Sequence, residues 1–193
     1  EDLPSEDLGE DFRVTHGFLG ASSEDLFLNK PVALMELFVL LARHEGLKGV
    51  RASTIRLIRD NLHLIDEAFR TDPQARQTFF DLFCQTSGVY TQLQRMNRYG
   101  VLAAFIPAFA NIVGRMQFDL FHVYTVDQHI LFVVRNLRRF AYGKYSKDFP
   151  HTADIFRQID HPEVLYLAAL FHDIAKGRKG DHSTLGAKDA LDF

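Results

Sequence analysis

Residues 12–21 alternate apolar and polar positions around His16 and Gly17, a pattern that predicts a short β-hairpin. The acidic stretch before it, residues 1–11, carries no such alternation and is expected to be loose. Beyond the hairpin the apolar period changes to that of a helix. Pro31 occupies a first-turn position ahead of Val32, Leu34, Met35, Leu37, Phe38, Leu40 and Leu41, and Gly46 and Gly49 close that segment. Ser53 is placed to cap a long helix over residues 54–69. Ile55, Ile58, Leu62, Ile65 and Phe69 fall on its inner face, and Arg56, Arg59, Asp60, His63 and Glu67 face outward. Asp72 and Pro73 open the next helix, with Ala75, Phe79, Leu82 and Phe83 inward.

A further short helix is expected over residues 89–96, after which Gly100, Pro107 and Gly114 divide an apolar stretch into short helices and turns. Thr125, Val126, Asp127 and Gln128 match a capping box, so a helix is predicted from 126 to 140, ended by Gly143. Residues 150–159 form a short helix. Pro162 starts the helix that delivers His172 and Asp173, and Gly177 stops it. No internal repeat, low-complexity tract or linker interrupts this order. The fold class is all-α with a small N-terminal β-hairpin.

Composition narrows the function classes. At 193 residues and 47% hydrophobic, the chain has enough apolar material for a sizeable core. A formal net charge of -3 argues against nucleic-acid binding. Arg51, Arg56 and Arg59 are offset by Asp60 and Glu67 and read as a solvated helix face. The single cysteine, Cys84, excludes an internal disulfide, fits a cytoplasmic location and is expected to pack as a small buried hydrophobe. The longest apolar run, residues 31–42, contains Glu36 and is too short for a membrane span. From the acidic residues 1–11 no secretory signal is expected, and phosphate-loop and nucleophile-elbow motifs are absent from this sequence.

The chemistry concentrates near the C-terminus. An adjacent His172 and Asp173 at the end of an apolar helix form an unusual pair, because an imidazole and a carboxylate are both good ligands for a divalent metal and costly to bury otherwise. His129 projects from the apolar side of its own helix, toward the core. His182 follows a Gly-Arg-Lys-Gly-Asp loop that returns the chain to the same helix end. His129, His172, Asp173 and His182 are therefore the candidate metal ligands. Lys176, one turn on, is placed to meet a phosphate oxygen, although a cation at a helix C-terminus also serves the helix dipole. Arg178 and Lys179 extend the positive charge. His122 is ranked as supporting or structural, and Asp127 as a first-turn residue favoured by the dipole.

Three segments carry a resemblance: YTVDQHI at 124–130, LYLAALFHDIAKG at 165–177 and GDHSTLGA at 180–187. Together they resemble the bifunctional PII uridylyltransferase/uridylyl-removing enzyme family. GVRASTIRLI at 49–58 looks like that family's central region. The resemblance implies residues 1–115 as a central helical region with the N-terminal hairpin, and residues 116–193 as the first part of a metal-dependent HD phosphohydrolase domain with a helical-bundle fold. It further implies hydrolysis of the phosphodiester linking UMP to a tyrosine of the PII nitrogen-regulatory protein. A divalent cation held by His129, His172 and Asp173 would polarise the phosphoryl group; His182 would hold a second metal or orient water, and Lys176 would stabilise phosphate charge. Manganese or magnesium is the first expectation, with iron or zinc also compatible. Asp173, Lys176 and His182 are the implied catalytic residues. The family's transferase motif and glutamine-sensing ACT domains are not in this sequence. The chain stops before the distant aspartate that usually completes such a site, for which Asp189 and Asp192 are poor substitutes. It is expected to be a fragment of weak or no activity. Two other classes fit the same residues: an HD hydrolase acting on free nucleotides, and a non-catalytic helical relay between domains.

Overall fold

A computed structural model describes residues 5–116 and 124–193. The chain falls into two compact units, Glu1–Phe105 and Ile106–Phe193. It is predominantly helical, with a small sheet at the N-terminus.

In the first unit, strands β1 (Ser5–Leu8), β2 (Phe12–Thr15) and β3 (Phe18–Ala21) form an antiparallel meander, and β4 (Gly49–Val50) pairs parallel with β3. The expected hairpin is therefore β2–β3, turning at His16 and Gly17, and it is extended on both sides. Residues 5–8 were expected to be loose because they show no apolar alternation. Their order comes from backbone pairing with β2 and from Arg13 Nε against Asp7 Oδ1 at 3.2 Å. β4 has only two residues and no sequence period. The contacts Lys48 N to Gly17 O and Arg51 N to Leu19 O hold its ends.

Helices α1 (Leu26–Asn29), α2 (Ala33–Arg43), α3 (Ala52–Asp60), α4 (Glu67–Thr71), α5 (Pro73–Phe83), α6 (Val89–Tyr99) and α7 (Val101–Phe105) complete this unit. Its core lies where α2 packs on α5 and α6, among Leu34, Leu37, Phe38, Phe79, Leu82, Phe83, Leu93 and Met96. Lys30 Nζ bridges Asp11 Oδ2 and Glu36 Oε2, both at 2.8 Å, and so ties the meander to α2.

The long helix expected over 54–69 is broken. It starts at Ala52, with Arg51 extended at the cap position, and Ser53 does not cap it. Asn61 turns its side chain back to Leu57 O at 2.9 Å, a short 3-10 turn follows at Leu62–Leu64, and Asp66 starts α4 afresh by accepting from Phe69 N at 2.9 Å. The apolar period runs unbroken through this turn, so the local side-chain-to-backbone bonds decide the break. Asp72 caps α5 in the same way, accepting from Ala75 N at 2.8 Å. Asp72→Ala should lower stability by about 1 kcal/mol, and Asp72→Asn by much less, read from the urea midpoint. Cys84 was expected to be buried. It is exposed at the C-cap of α5, one position past the buried Phe83.

The second unit holds α8 (Pro107–Ala110), α9 (Val126–Ala141), α10 (Pro150–Arg157), α11 (Pro162–Phe171) and α12 (His182–Asp192). α9 packs against α10 and α11, burying Val126, Ile130, Leu131 and Val134 at helical spacing against Tyr166, Ala169 and Leu170. Thr125 takes the extended cap conformation, yet its hydroxyl forms no capping bond and is buried without a partner among the described residues. The capping box thus marks the helix start without supplying its bond. No helix among the described residues is long and apolar enough to cross a membrane.

Candidate metal centre

Two elements bring the central side chains together. His129 lies in the first turn of α9, between the buried Val126 and Ile130. α11 ends at Phe171, and residues 172–177 continue as tight turns, with Ile174 N on Phe171 O and Lys176 N on Asp173 O. The turns present His172 and Asp173 at the end of α11 while Ile174 and Ala175 sink into the core. The regular helix therefore stops six residues before Gly177, which ends the turns instead.

Asp173 is the hub. Its side chain is 9% exposed. Oδ2 lies 3.5 Å from His129 Nε2, 3.3 Å from His172 Nε2 and 2.8 Å from Lys176 Nζ, and Oδ1 lies 3.9 Å from His182 Nε2. His172 Nδ1 donates to Ala169 O at 2.6 Å, so that Nε2 would offer its lone pair to a cation once its own proton is lost. Ligand atoms of His129, His172 and Asp173 all lie within 4.8 Å of one another. Burial favours the neutral Asp173 carboxyl, but hydrogen bonds from His172 and Lys176 outweigh it and hold the group ionised well below the usual carboxylate range. The same bond from His172 to Asp173 raises the imidazole above its ordinary value against the effect of burial.

This donor set fits a divalent cation. Two imidazole nitrogens and one buried carboxylate converge, the donor type and spacing suit a divalent metal, and one imidazole is already oriented by a backbone carbonyl. His182 joins from the side. It is the first residue of α12, whose cap is Asp181, accepting from Ser183 N, Thr184 N and Thr184 Oγ1.

α12 is anchored by a close approach. A Cβ at Gly186 would lie 2.9 Å from Phe171 O, and Arg178 forms a two-pronged ion pair with Asp189. Gly186→Ala gains about 1 kcal/mol of helix propensity. It also forces backbone apart, at about 1–3 kcal/mol. The net expectation is a modest destabilisation with displacement of α12, seen as a shifted His182 imidazole resonance; an unshifted one would refute the packing argument.

Of the residues singled out from sequence, His129, His172 and Asp173 converge, His182 stands next to them, and Lys176 pairs with Asp173. Arg178 turns to Asp189, so that aspartate is occupied by an arginine. Asp127 is buried and accepts from Gly114 N at 3.1 Å. His122 lies outside the described residues. Arg115, which no motif marked, rests its guanidinium against Gly177.

Residues 12–105 match the family described as "Uridylyltransferase GlnD third domain", and residues 126–193 match the HD domain. Proteins named bifunctional uridylyltransferase/uridylyl-removing enzyme are similar along the chain. One from Nitrosococcus oceani is 54% identical over 96% of the chain and 21% of its own length. One from Methylococcus capsulatus is 58% identical over 84% of the chain and 19% of its own length. One from Pseudomonas fluorescens is 45% identical over 100% of the chain and 21% of its own length. The chain spans about a fifth of the length of the curated relatives it matches.

Proposed function

Because the chain belongs to the family of bifunctional uridylyltransferase/uridylyl-removing enzymes, we propose that its second unit is the uridylyl-removing part of such an enzyme, hydrolysing the phosphodiester between UMP and a tyrosine of PII protein. The observation that carries this reading is the convergence of His129 and His172 on the buried Asp173. His129, His172 and Asp173 would hold a divalent cation, manganese or magnesium by preference, and His182 would hold a second metal or orient water. When bound, the cation supplies Lewis acidity, drawing charge from the phosphoryl oxygens and acidifying water.

The chain's own residues do the rest. Asp173 contributes the negative charge that balances the cation. The Ala169 carbonyl fixes the His172 ring. His182, on the wetter side at the start of α12, is placed to orient the attacking water. Water adds to phosphorus, the bond to the tyrosine oxygen breaks, and the tyrosine leaves with a proton. Lys176 stands beside Asp173 and offers its ammonium to the departing or equatorial oxygens. The first unit is proposed as the central helical region, the setting as cytoplasmic nitrogen regulation, and glutamine as a signal sensed by other domains of the full-length protein.

The test is release of UMP from uridylylated PII by the full-length family protein carrying this segment, with added manganese, beside an equal concentration of free nucleotides. Preference for uridylylated PII is expected. Faster hydrolysis of free nucleotides would replace this reading with that of a nucleotide phosphohydrolase.

A further inference from the structure

Three cationic side chains other than the histidines surround the turn that carries Asp173. Lys176 is paired with Asp173 at 2.8 Å, and Arg178 with Asp189. Arg115 has no carboxylate partner among the described residues. Its backbone is nevertheless fixed: Arg115 N donates to Ile112 O at 3.1 Å, Arg115 O accepts from Val126 N at 2.9 Å, and Met116 pairs with Thr125. The residue is thereby joined to the first turn of α9, one turn from His129.

Its side chain crosses to the other ligand-bearing element. A Cβ at Gly177 would fall on the guanidinium carbon and two of its nitrogens, so the arginine lies flat on the glycine. Gly177 also adopts φ +83, a conformation that L side chains rarely take. Both observations require glycine there. The arginine thus spans from the segment bonded to the start of the His129 helix to Gly177, at the end of the His172–Asp173 turn; the residue is exposed, and its guanidinium has no carboxylate partner among the described residues. Lys179, by contrast, sits on the open loop after the turn.

We propose that Arg115 is the phosphate-recognising residue of this site, its planar fork taking two oxygens of the phosphate ester, and that Gly177 is the opening that seats it. The inference rests on the metal-dependent hydrolase reading given above. A guanidinium suits this task better than an ammonium because its paired N–H groups match two oxygens of one phosphate. Lys176, already bound to Asp173, is left to the reacting bond.

The experiment titrates UMP, and separately inorganic phosphate, into the manganese-loaded 193-residue chain by calorimetry, with manganese affinity measured beforehand on each variant. Arg115→Gln should weaken both anions about tenfold or more. Arg115→Lys, which keeps the charge and loses the fork, should fall between, and manganese affinity should stay within about twofold in both. Arg115 is exposed, so neither variant disturbs a core; Gly177→Ala should weaken UMP in the same way by displacing the guanidinium. UMP affinity unchanged in Arg115→Gln would overturn the proposal. So would a loss confined to UMP with phosphate unaffected, which would place the contact on the nucleoside. Parallel loss of manganese binding in that variant would make Arg115 a scaffold for the ligands and overturn it equally. A wild-type chain that binds manganese but neither anion would overturn this inference alone, whereas a wild-type chain that binds no manganese would remove the metal reading beneath it.

Discussion

Asp173→Ala in the full-length family protein is expected to abolish release of UMP from uridylylated PII while leaving uridylyl transfer intact. Among the described residues the carboxylate is the one anionic group in the cluster, and both imidazoles and Lys176 Nζ are arranged around it. Without it, a bound cation keeps only neutral nitrogen ligands and faces the Lys176 ammonium. A loss of at least about a thousandfold in hydrolysis follows from removing charge stabilisation and water activation together. A second effect runs in parallel. Lys176 has 17% of its side chain exposed, and truncating its partner leaves a half-buried cation. A fully buried pair broken this way loses about 3–5 kcal/mol, but a lysine can swing its ammonium outward and recover part of that. Asp173→Asn separates the two effects. It keeps the volume and an oxygen acceptor for Lys176, so stability should be largely retained while hydrolysis stays lost. UMP release by Asp173→Asn at a wild-type rate would remove Asp173 from the chemistry. Equal loss of both activities in a folded variant would argue against a dedicated hydrolytic centre.

The largest stability effect is expected at Phe79, in the first unit. It is buried on α5, with its ring 5.2 Å from Phe83 in an edge-on arrangement and 5.1 Å from Phe105. Phe105 in turn meets Phe69 at 6.0 Å, edge to face. Phe79→Ala removes the centre of this aromatic row and leaves a cavity between α5 and α7, at about 3–5 kcal/mol. A domain has only about 5–15 kcal/mol in total, so the first unit should unfold at a much lower urea concentration. Phe79→Leu fills most of the space and should cost under about 1.5 kcal/mol. The readout is the urea midpoint by far-ultraviolet circular dichroism. Equal midpoints for Phe79→Ala and wild type would mean that the aromatic row does not hold this unit.

The helical part of the fold was legible because period and punctuation agreed. Asp72-Pro73 marked α5 and Pro162 marked α11, each at the residue where the helix begins. His129 was legible for the same reason: three residues after Val126 and one before Ile130, it sits beside the buried face of its helix, with its side chain half-buried. The sheet was legible only where alternation existed, in β2 and β3. β1 and β4 arise from pairing to a partner strand, which a local window does not contain. The break in the helix at Asn61 was hidden because the apolar spacing on either side stays in phase; the competing bonds of Asn61 and Asp66 decide it. Cys84 was misplaced by one position, since helix α5 ends as its buried face turns away. Arg115 had no motif at all. Its place follows from Gly177, and that glycine read equally well as a simple helix stop until the guanidinium was seen lying on it.

His129, His172 and Asp173 are proposed to share one cation. The direct measurement is pulsed electron paramagnetic resonance of manganese bound to the 193-residue chain grown with nitrogen-15 histidine. Coupling from two imidazole nitrogens is predicted, falling to one in His129→Ala or His172→Ala, with His182→Ala retaining both. A spectrum of solvated manganese without histidine coupling, or coupling that survives intact in both His129→Ala and His172→Ala, would contradict it.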